Sequence, residues 1–446
     1  MGGRHLGKPM NVRAWIHSAG PVPAECRSSF RHLYLDTAWF GVLAASTMSF
    51  VAVYAARQGA NAFEIGLLSA GPAVVNLIFA LPVGQWLEKQ PIDTAVFWTA
   101  VTHRFGYLLY VALPLLLVPQ VQIGVLITLT LLMSIPGVGL AVGFNALFAD
   151  AVPPNWRGHV VGIRNALLAV TFIVVSLLCG YILERLPFPA GYQVVFGIGF
   201  LGAAMSTFHL WFVTPCPEGR AQRRGGRRLG DLAWPGRGRM LIDSPRPGAS
   251  LRVLPRRRKL NLLQTEALRR PFGRLVVVLF FFHLTLYLAV PLFPLHWVNQ
   301  IHLSDQEIGL GTALFYVGVF LGSTQLARFT RRLGNQRLTA IGAILMSAYP
   351  AFMALSHGLD LFLVGSAAGG LGWSAFGGSM TNYLLEKLPE DRRPEHLALY
   401  NLALNAALLL GSLAGPFIAG FVGVPMALAL FAILRLLGAL AILRWE

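Results

Sequence analysis

Twelve stretches of this chain are long and apolar enough to cross a bilayer, and that count rules out a single water-excluding core. They run approximately 36–56, 63–86, 93–117, 121–147, 158–183 and 190–214, then 275–298, 305–328, 336–356, 359–384, 396–421 and 423–443. A helix crossing the roughly 30 Å hydrocarbon layer needs about 20 apolar residues. Barrel strands alternate over about ten residues, whereas these runs are continuous, so helices are expected. Charged residues are 12% of the chain, against about 25% in a typical soluble domain. The expected fold class is therefore an all-α polytopic membrane protein.

The order of the spans repeats. Glu64-Ile65-Gly66-Leu67 opens the second run, and Glu307-Ile308-Gly309-Leu310, 243 residues later, opens the eighth. Gly84 and Glu88-Lys89 fall opposite Ala327 and Arg331-Arg332 at the same step. Asp150, Pro153, Arg157 and Asn165 align with Glu386, Pro389, Arg393 and Asn401 at a step of 236. A repeat of this length makes two homologous halves of six helices each.

Charge sets the orientation. The odd-side connections hold little beyond Arg57 and Arg185, while the even-side ones carry Lys89, Arg157, Arg331, Arg332, Arg337, Lys387, Arg392 and Arg393. By the positive-inside rule both termini are expected in the cytoplasm. The first thirty residues hold Arg4, Lys8, Arg13 and Arg27 with no apolar run, so no cleavable signal peptide is expected. Residues 215–274 contain 16 Lys or Arg and 4 acids, with seven prolines and many glycines. They read as a flexible linker. Beside membrane spans its expected partner is anionic lipid rather than nucleic acid. The expected divisions are a tail over 1–33, a first bundle over 34–214, the linker over 215–274 and a second bundle over 275–446. Cys26, Cys179 and Cys216 suggest neither a disulfide framework nor a metal site. Arginine outnumbers lysine 32 to 4, the mark of a GC-rich coding genome, which makes a bacterial plasma membrane the default location.

Two six-helix halves, cytoplasmic ends and a long basic central loop resemble the major facilitator superfamily of secondary transporters, from about residue 33 onward. The family's loop between helices two and three has the form Gly-x-x-x-Asp-Arg-x-Gly-Arg-Arg. Here it reads Gly84-Gln-Trp-Leu-Glu88-Lys89-Gln-Pro91-Ile-Asp93, which keeps the glycine, an acid and a base but loses the second glycine and the basic pair. The second copy keeps Gly334 and its bases but has Arg331 in place of the acid. The resemblance implies two pseudo-symmetric six-helix bundles, a small-molecule substrate and alternating access by a monomer. It gives Gly84, Glu88 and Lys89 a gating role, with Lys89 or Arg157 holding Glu88 within its half. Asp150 with Arg157, and Glu386 with Arg393, read as latches where helices four and ten leave the membrane.

Ionisable groups inside spans are costly and are usually kept for a pathway or a partner. Arg104 lies about 16 Å into helix three, next to His103. Asp36 enters helix one at a level that an arginine leaning toward the cytoplasm reaches, so an Asp36–Arg104 ion pair is expected. Arg435 in helix twelve is expected to pair structurally or to snorkel. The resemblance makes helices one, four, seven and ten line the cavity, flanked by two, five, eight and eleven. The candidate substrate residues there are Asn145, Arg164, Asn165, His283, Tyr287, Tyr316, Trp373, Asn382, Asn401 and Asn405, each of which has an interhelical hydrogen bond as its plainer role. Ser134-Ile-Pro136-Gly137 on helix four and the six glycines around Trp373 on helix ten allow bending or tight packing. Gly411-x-x-x-Gly415-Pro416 on helix eleven resembles an antiporter signature.

A coupling proton needs an embedded group that changes protonation. Asp36 is the one acid more than a turn inside a span, and an arginine partner would keep it charged; His103 and His283 titrate in the useful range. Facilitated diffusion is an open alternative. No phosphate loop, His-Glu-x-x-His or nucleophile elbow is present, and no cofactor or enzyme chemistry is expected. A transport-inactive receptor or scaffold on the same fold, and a translocator of lipids or amphipathic compounds, are the competing functions.

Overall fold

The computed structural model describes residues 24–87, 89–216, 272–387 and 393–444. Helices account for nearly all of them. Twelve spanning segments are present among the described residues: α1 Arg27–Arg57, α2 Ala62–Leu87, α3 Ile92–Leu116, α4 Pro119–Ala151, α5 Pro154–Arg185 and α6 Ala190–Trp211, then α7 Phe272–Asn299. The unbroken run Asp305–Leu355 holds α8 (305–333) and α9 (335–355), separated at Gly334. Leu359–Glu386, Arg393–Val422 and Val424–Arg444 form α10, α11 and α12. Helix one starts at Arg27 rather than near residue 36. The basic linker lies almost wholly outside the described residues.

The sequence sets each boundary by local chemistry. Pro119 and Pro154 occupy the first turns of α4 and α5, where a missing N–H costs nothing. The two repeated glutamates close matching capping boxes. Glu64 bonds the Asn61 backbone at 2.7 Å, and Glu307 bonds that of Ser304 at 2.8 Å. Gly334, at φ 77°, lets α8 turn directly into α9, a conformation that an L side chain rarely adopts. Helix α7 breaks at Val290-Pro291, because proline cannot continue the hydrogen-bond ladder. Helix α1 has a π-helical turn at Ala44–Met48.

Within the first bundle α3 packs on α4 and α6, α1 on α5 and α6, and α2 on α4. In the second, α10 lies against the α8–α9 pair, which packs on α12, and α7 lies on α11 and α12. The glycines of α10 serve close packing: an added Cβ at Gly372 meets the backbone of α9, at 2.7 Å from Met346 N. Gly411 likewise lets α11 approach the Leu284 carbonyl of α7. Across the bundles, α2 meets α11 and α5 meets α8. The surface carries large exposed apolar side chains such as Leu116, Val174, Phe417 and Phe421, as a hydrocarbon-facing wall requires.

Arg435 does not snorkel. It is buried and donates to the carbonyls of Met346, Thr285 and Leu286, each at 3.1 Å, beside the α7 break. Cys26 and Cys216 form a disulfide with Cα atoms 5.7 Å apart, contrary to the sequence reading. Their sequence separation of 190 hides a proximity that only the packing of α6 beside α1 creates.

Candidate functional site

Inside the first bundle, Asp36 sits fully buried between two arginines. Arg104 Nη2 is 3.7 Å from Oδ1, and Arg164 Nη2 is 3.6 Å from Oδ2. Ser206 donates to Oδ1 at 2.5 Å. The arginines are fixed from elsewhere: Arg104 Nη1 donates to Thr207 at 2.9 Å, and Arg164 Nε donates to Thr37. The Arg164 guanidinium lies 4.7 Å over the Phe144 ring. Four helices, α1, α3, α5 and α6, thus converge on one carboxylate. The expected Asp36–Arg104 pair is present, and Arg164, read from the sequence as a substrate contact, is its second partner. Such a site resists loss of any member, because an uncompensated charge in low dielectric is expensive.

Next to the cluster, α1 to α4 enclose a cavity of about 210 Å³ with Arg104, His103, Tyr107, Tyr110, Thr130 and Ser134 in its wall. His103 Nδ1 donates to the Met133 carbonyl at 2.8 Å, just before Pro136. Tyr110 and Thr130 share a 2.7 Å hydrogen bond.

The bundles meet most closely at the ends opposite the linker. An added Cβ on Gly66 of α2 sits 2.6 Å from the Ser412 carbonyl of α11; one on Gly309 of α8 sits 2.6 Å from the Ser176 carbonyl of α5. Ser176 and Ser412 are themselves 236 residues apart, so the two contacts are related by the internal repeat. Helices approach this closely only where no side chain intervenes. Arg57 at the end of α1 reaches across to Asp305 at 3.1 Å and to the Leu303 carbonyl at 2.6 Å. Tyr192 of α6 donates to the same carboxylate at 2.9 Å. Deeper in, the symmetry ends. Phe172 stacks on Tyr316 with ring centroids 3.8 Å apart, while on the other side Asn76 donates to Asn405 at 3.2 Å.

A sequence profile of the Major Facilitator Superfamily matches residues 37–272 and 275–446. The chain belongs to the major facilitator superfamily. Among solved structures, a mutant form of the nucleoside transporter NupG aligns over 93% of this chain and 99% of its own, with TM-score 0.65 and 13% identity. A bacterial homologue of the iron transporter ferroportin aligns over 94% and 98%, with TM-score 0.66 and 15% identity. The xylose transporter XylE from E. coli aligns over 94% and 97%, with TM-score 0.64 and 15% identity. In sequence, Multidrug resistance protein 2 of Bacillus subtilis (strain 168) is 23% identical over 134 residues, which span 30% of this chain and 33% of that protein. The protein is thus a multi-pass membrane transporter with a small-molecule substrate.

The superfamily loop is described only in part. Gly84 faces open space, Lys89 is exposed, and Glu88 lies outside the described residues. Arg157 holds its own bundle's end by donating to the Val152 and Ala149 carbonyls at 3.0 and 2.6 Å, with buried Asp150 acting on it electrostatically. Glu386 accepts from Asn335 at 2.6 Å, tying the α8–α9 turn to α10. The Arg393 side chain lies outside the described residues. These contacts all stay within one bundle.

Of the cavity candidates, Asn405 bridges the bundles through Asn76 and also donates to the Asn401 carbonyl at 2.8 Å. His283 bonds the Leu279 carbonyl at 2.7 Å and packs on Phe282, Phe376 and Tyr400. Asn145, Asn165, Tyr287, Trp373 and Asn382 are half-buried. Sequence reasoning missed Asn76, Arg57, Asp305 and Tyr192. The one available signal was a charge of opposite sign at each of two span ends on the same side.

Proposed function

We propose that this transporter carries its solute by rocking the two bundles about the α2–α11 and α5–α8 contacts, and that the conformation described is closed toward the outside. The double closure at Gly66 and Gly309 carries this reading, because it seals one end with bare backbone while Arg57 and Asp305 latch it. The positive-inside distribution of Lys89, Arg157, Arg331 and Arg332 supports an extracytoplasmic position for that end, cytoplasmic termini and a plasma-membrane location. The Gly84–Lys89 loop and the Asp150–Arg157 and Glu386–Arg393 sets are assigned to shaping the cytoplasmic ends of each bundle. Asp36 is already engaged by Arg104, Arg164 and Ser206, which favours facilitative transport or coupling through other groups. The basic linker is assigned to anionic lipid, and the working unit to a monomer.

The test begins with a thermal-shift screen of solutes on purified protein, followed by uptake of the hits in proteoliposomes. Arg57→Cys with Asp305→Cys, with the native cysteines replaced by serine, is then treated with a bifunctional thiol crosslinker. Uptake should stop on crosslinking and return on cleavage of a reducible linker. Uptake that continues through the crosslink refutes the gate. A solute that binds but never crosses, with or without gradients, refutes transport and leaves a receptor.

A further inference from the structure

The cavity of about 210 Å³ enclosed by α1 to α4 serves neither the Asp36 ion pairs nor the gate. An apolar cavity of about 150 Å³ takes one benzene ring, so this one has room for one or two rings. Its wall carries the rings of Phe40, Tyr107 and Tyr110 and the thioethers of Met48 and Met133, groups that pack well on aromatic faces and edges. The π-helical turn Ala44–Met48 helps to build it. A regular helix would rotate Met48 about 140° away from Leu43, yet both line the cavity, because a π turn takes in an extra residue. Such turns are frequent at functional sites.

The polar groups of this wall have committed their hydrogens elsewhere. Ser134 donates to the Thr130 carbonyl at 2.6 Å, and Thr130 donates to the Leu126 carbonyl at 2.7 Å. A threonine hydroxyl has one hydrogen, so Tyr110 is the donor in the 2.7 Å bond that it shares with Thr130. His103 gives its Nδ1 hydrogen to the Met133 carbonyl, and Arg104 is engaged by Asp36 and Thr207. What the Tyr110 and Ser134 oxygens still offer a ligand is lone pairs. An anion would meet those lone pairs, and a cation would meet the Arg104 guanidinium. A ligand that suits the wall therefore brings a hydrogen without a charge. We propose that this cavity binds a neutral aromatic compound of one or two rings bearing a single N–H or O–H donor, with its rings against Phe40, Tyr107 and the methionines and its donor toward Tyr110 and Ser134. All of these residues belong to the first bundle, so the site stands or falls separately from the outer gate.

The test measures equilibrium binding of tritiated indole to the purified protein in phosphatidylcholine nanodiscs, with unlabelled indole and benzofuran as competitors. Benzofuran has the same shape but an ether oxygen where indole has its N–H. Saturable binding is expected, with benzofuran competing at least about tenfold more weakly, because it sets an acceptor against acceptors. Ser134→Leu puts a larger side chain into the cavity and should abolish saturable binding while leaving the melting temperature near that of the parent. The Tyr110→Phe, Ser134→Ala double variant keeps the rings and the space, and should erase the preference for indole over benzofuran. Should Ser134→Leu lose its fold, the milder double variant decides alone. Equal competition by indole and benzofuran in the parent overturns the proposal, as does a preference for indole that survives the double variant or saturable binding that survives a folded Ser134→Leu. Binding that never saturates overturns it too, since indole then only dissolves in the bilayer.

Discussion

Replacing Gly309 with alanine adds one methyl group at one of the two equally tight points of the closure between the bundles. The new Cβ would lie 2.6 Å from the Ser176 carbonyl oxygen and 3.1 Å from the Gly180 Cα, where ordinary contact begins at 3.4 Å. Both neighbours are backbone, so no side chain can swing away and the helices must part. Overpacking of this kind costs about 1–3 kcal/mol, which corresponds to a shift of about 5- to 150-fold in the closed-to-open ratio. The helix itself is strengthened by about 1 kcal/mol on the glycine-to-alanine scale, so loss of closure is separable from loss of fold. A native reporter sits at the spot. Cys179 is fully buried on α5 beside Gly180. With Cys26 and Cys216 changed to serine, its labelling by a membrane-impermeant thiol reagent should accelerate by a similar factor in Gly309→Ala. Gly66→Ala, which meets the Ser412 carbonyl at 2.6 Å, should do the same from the other side. An unchanged labelling rate in both variants, with melting temperatures intact, would show that these glycines do not hold the closure.

Three further outcomes are expected. Asp36→Asn should lower stability by about 3–5 kcal/mol, as breaking a buried ion pair does; Arg164→Gln should cost less, because Arg104 and Ser206 still serve the carboxylate. Thermal denaturation of the two variants checks the order. Arg435→Met should destabilise by about 2–4 kcal/mol by stranding carbonyls at the α7 break, and Arg435→Lys should recover only part, since one ammonium cannot bond α7 and α9 as a guanidinium fork does. Peptide mapping after alkylation should find Cys26 and Cys216 modified only after reductant is added, and always together.

The helices were legible because apolar run length is a local property, and the halves because the repeat kept its order. The Asp36–Arg104 pair was legible for a different reason: two opposite charges at similar depth in one bundle have few other places to go. Arg164 escaped that logic, because nothing local says which side of α5 faces α1. Asn76 and Asn405 sit on different bundles, so their pairing depends on how the bundles meet rather than on either helix. Arg57 and Asp305 looked like ordinary charges at span ends. The degenerate loop around Gly84 drew attention to the cytoplasmic side, whereas the best-defined cross-bundle contacts lie at the other.

The paired contacts at Gly66 and Gly309 have the form of an interface between two copies of one molecule. In each, the glycine of the repeated motif meets the carbonyl of the serine that the repeat places on the opposite bundle's fifth helix. A two-fold dimer makes every contact twice by this rule. A six-helix chain carrying a single copy of the motif would therefore close against its own twin in the same way. In the joined chain the two contacts are free to diverge, and deeper in they already have, into a stacked Phe172–Tyr316 pair on one side and an Asn76–Asn405 hydrogen bond on the other. The joined chain thus carries a seam of two-fold form whose two sides can be tuned separately.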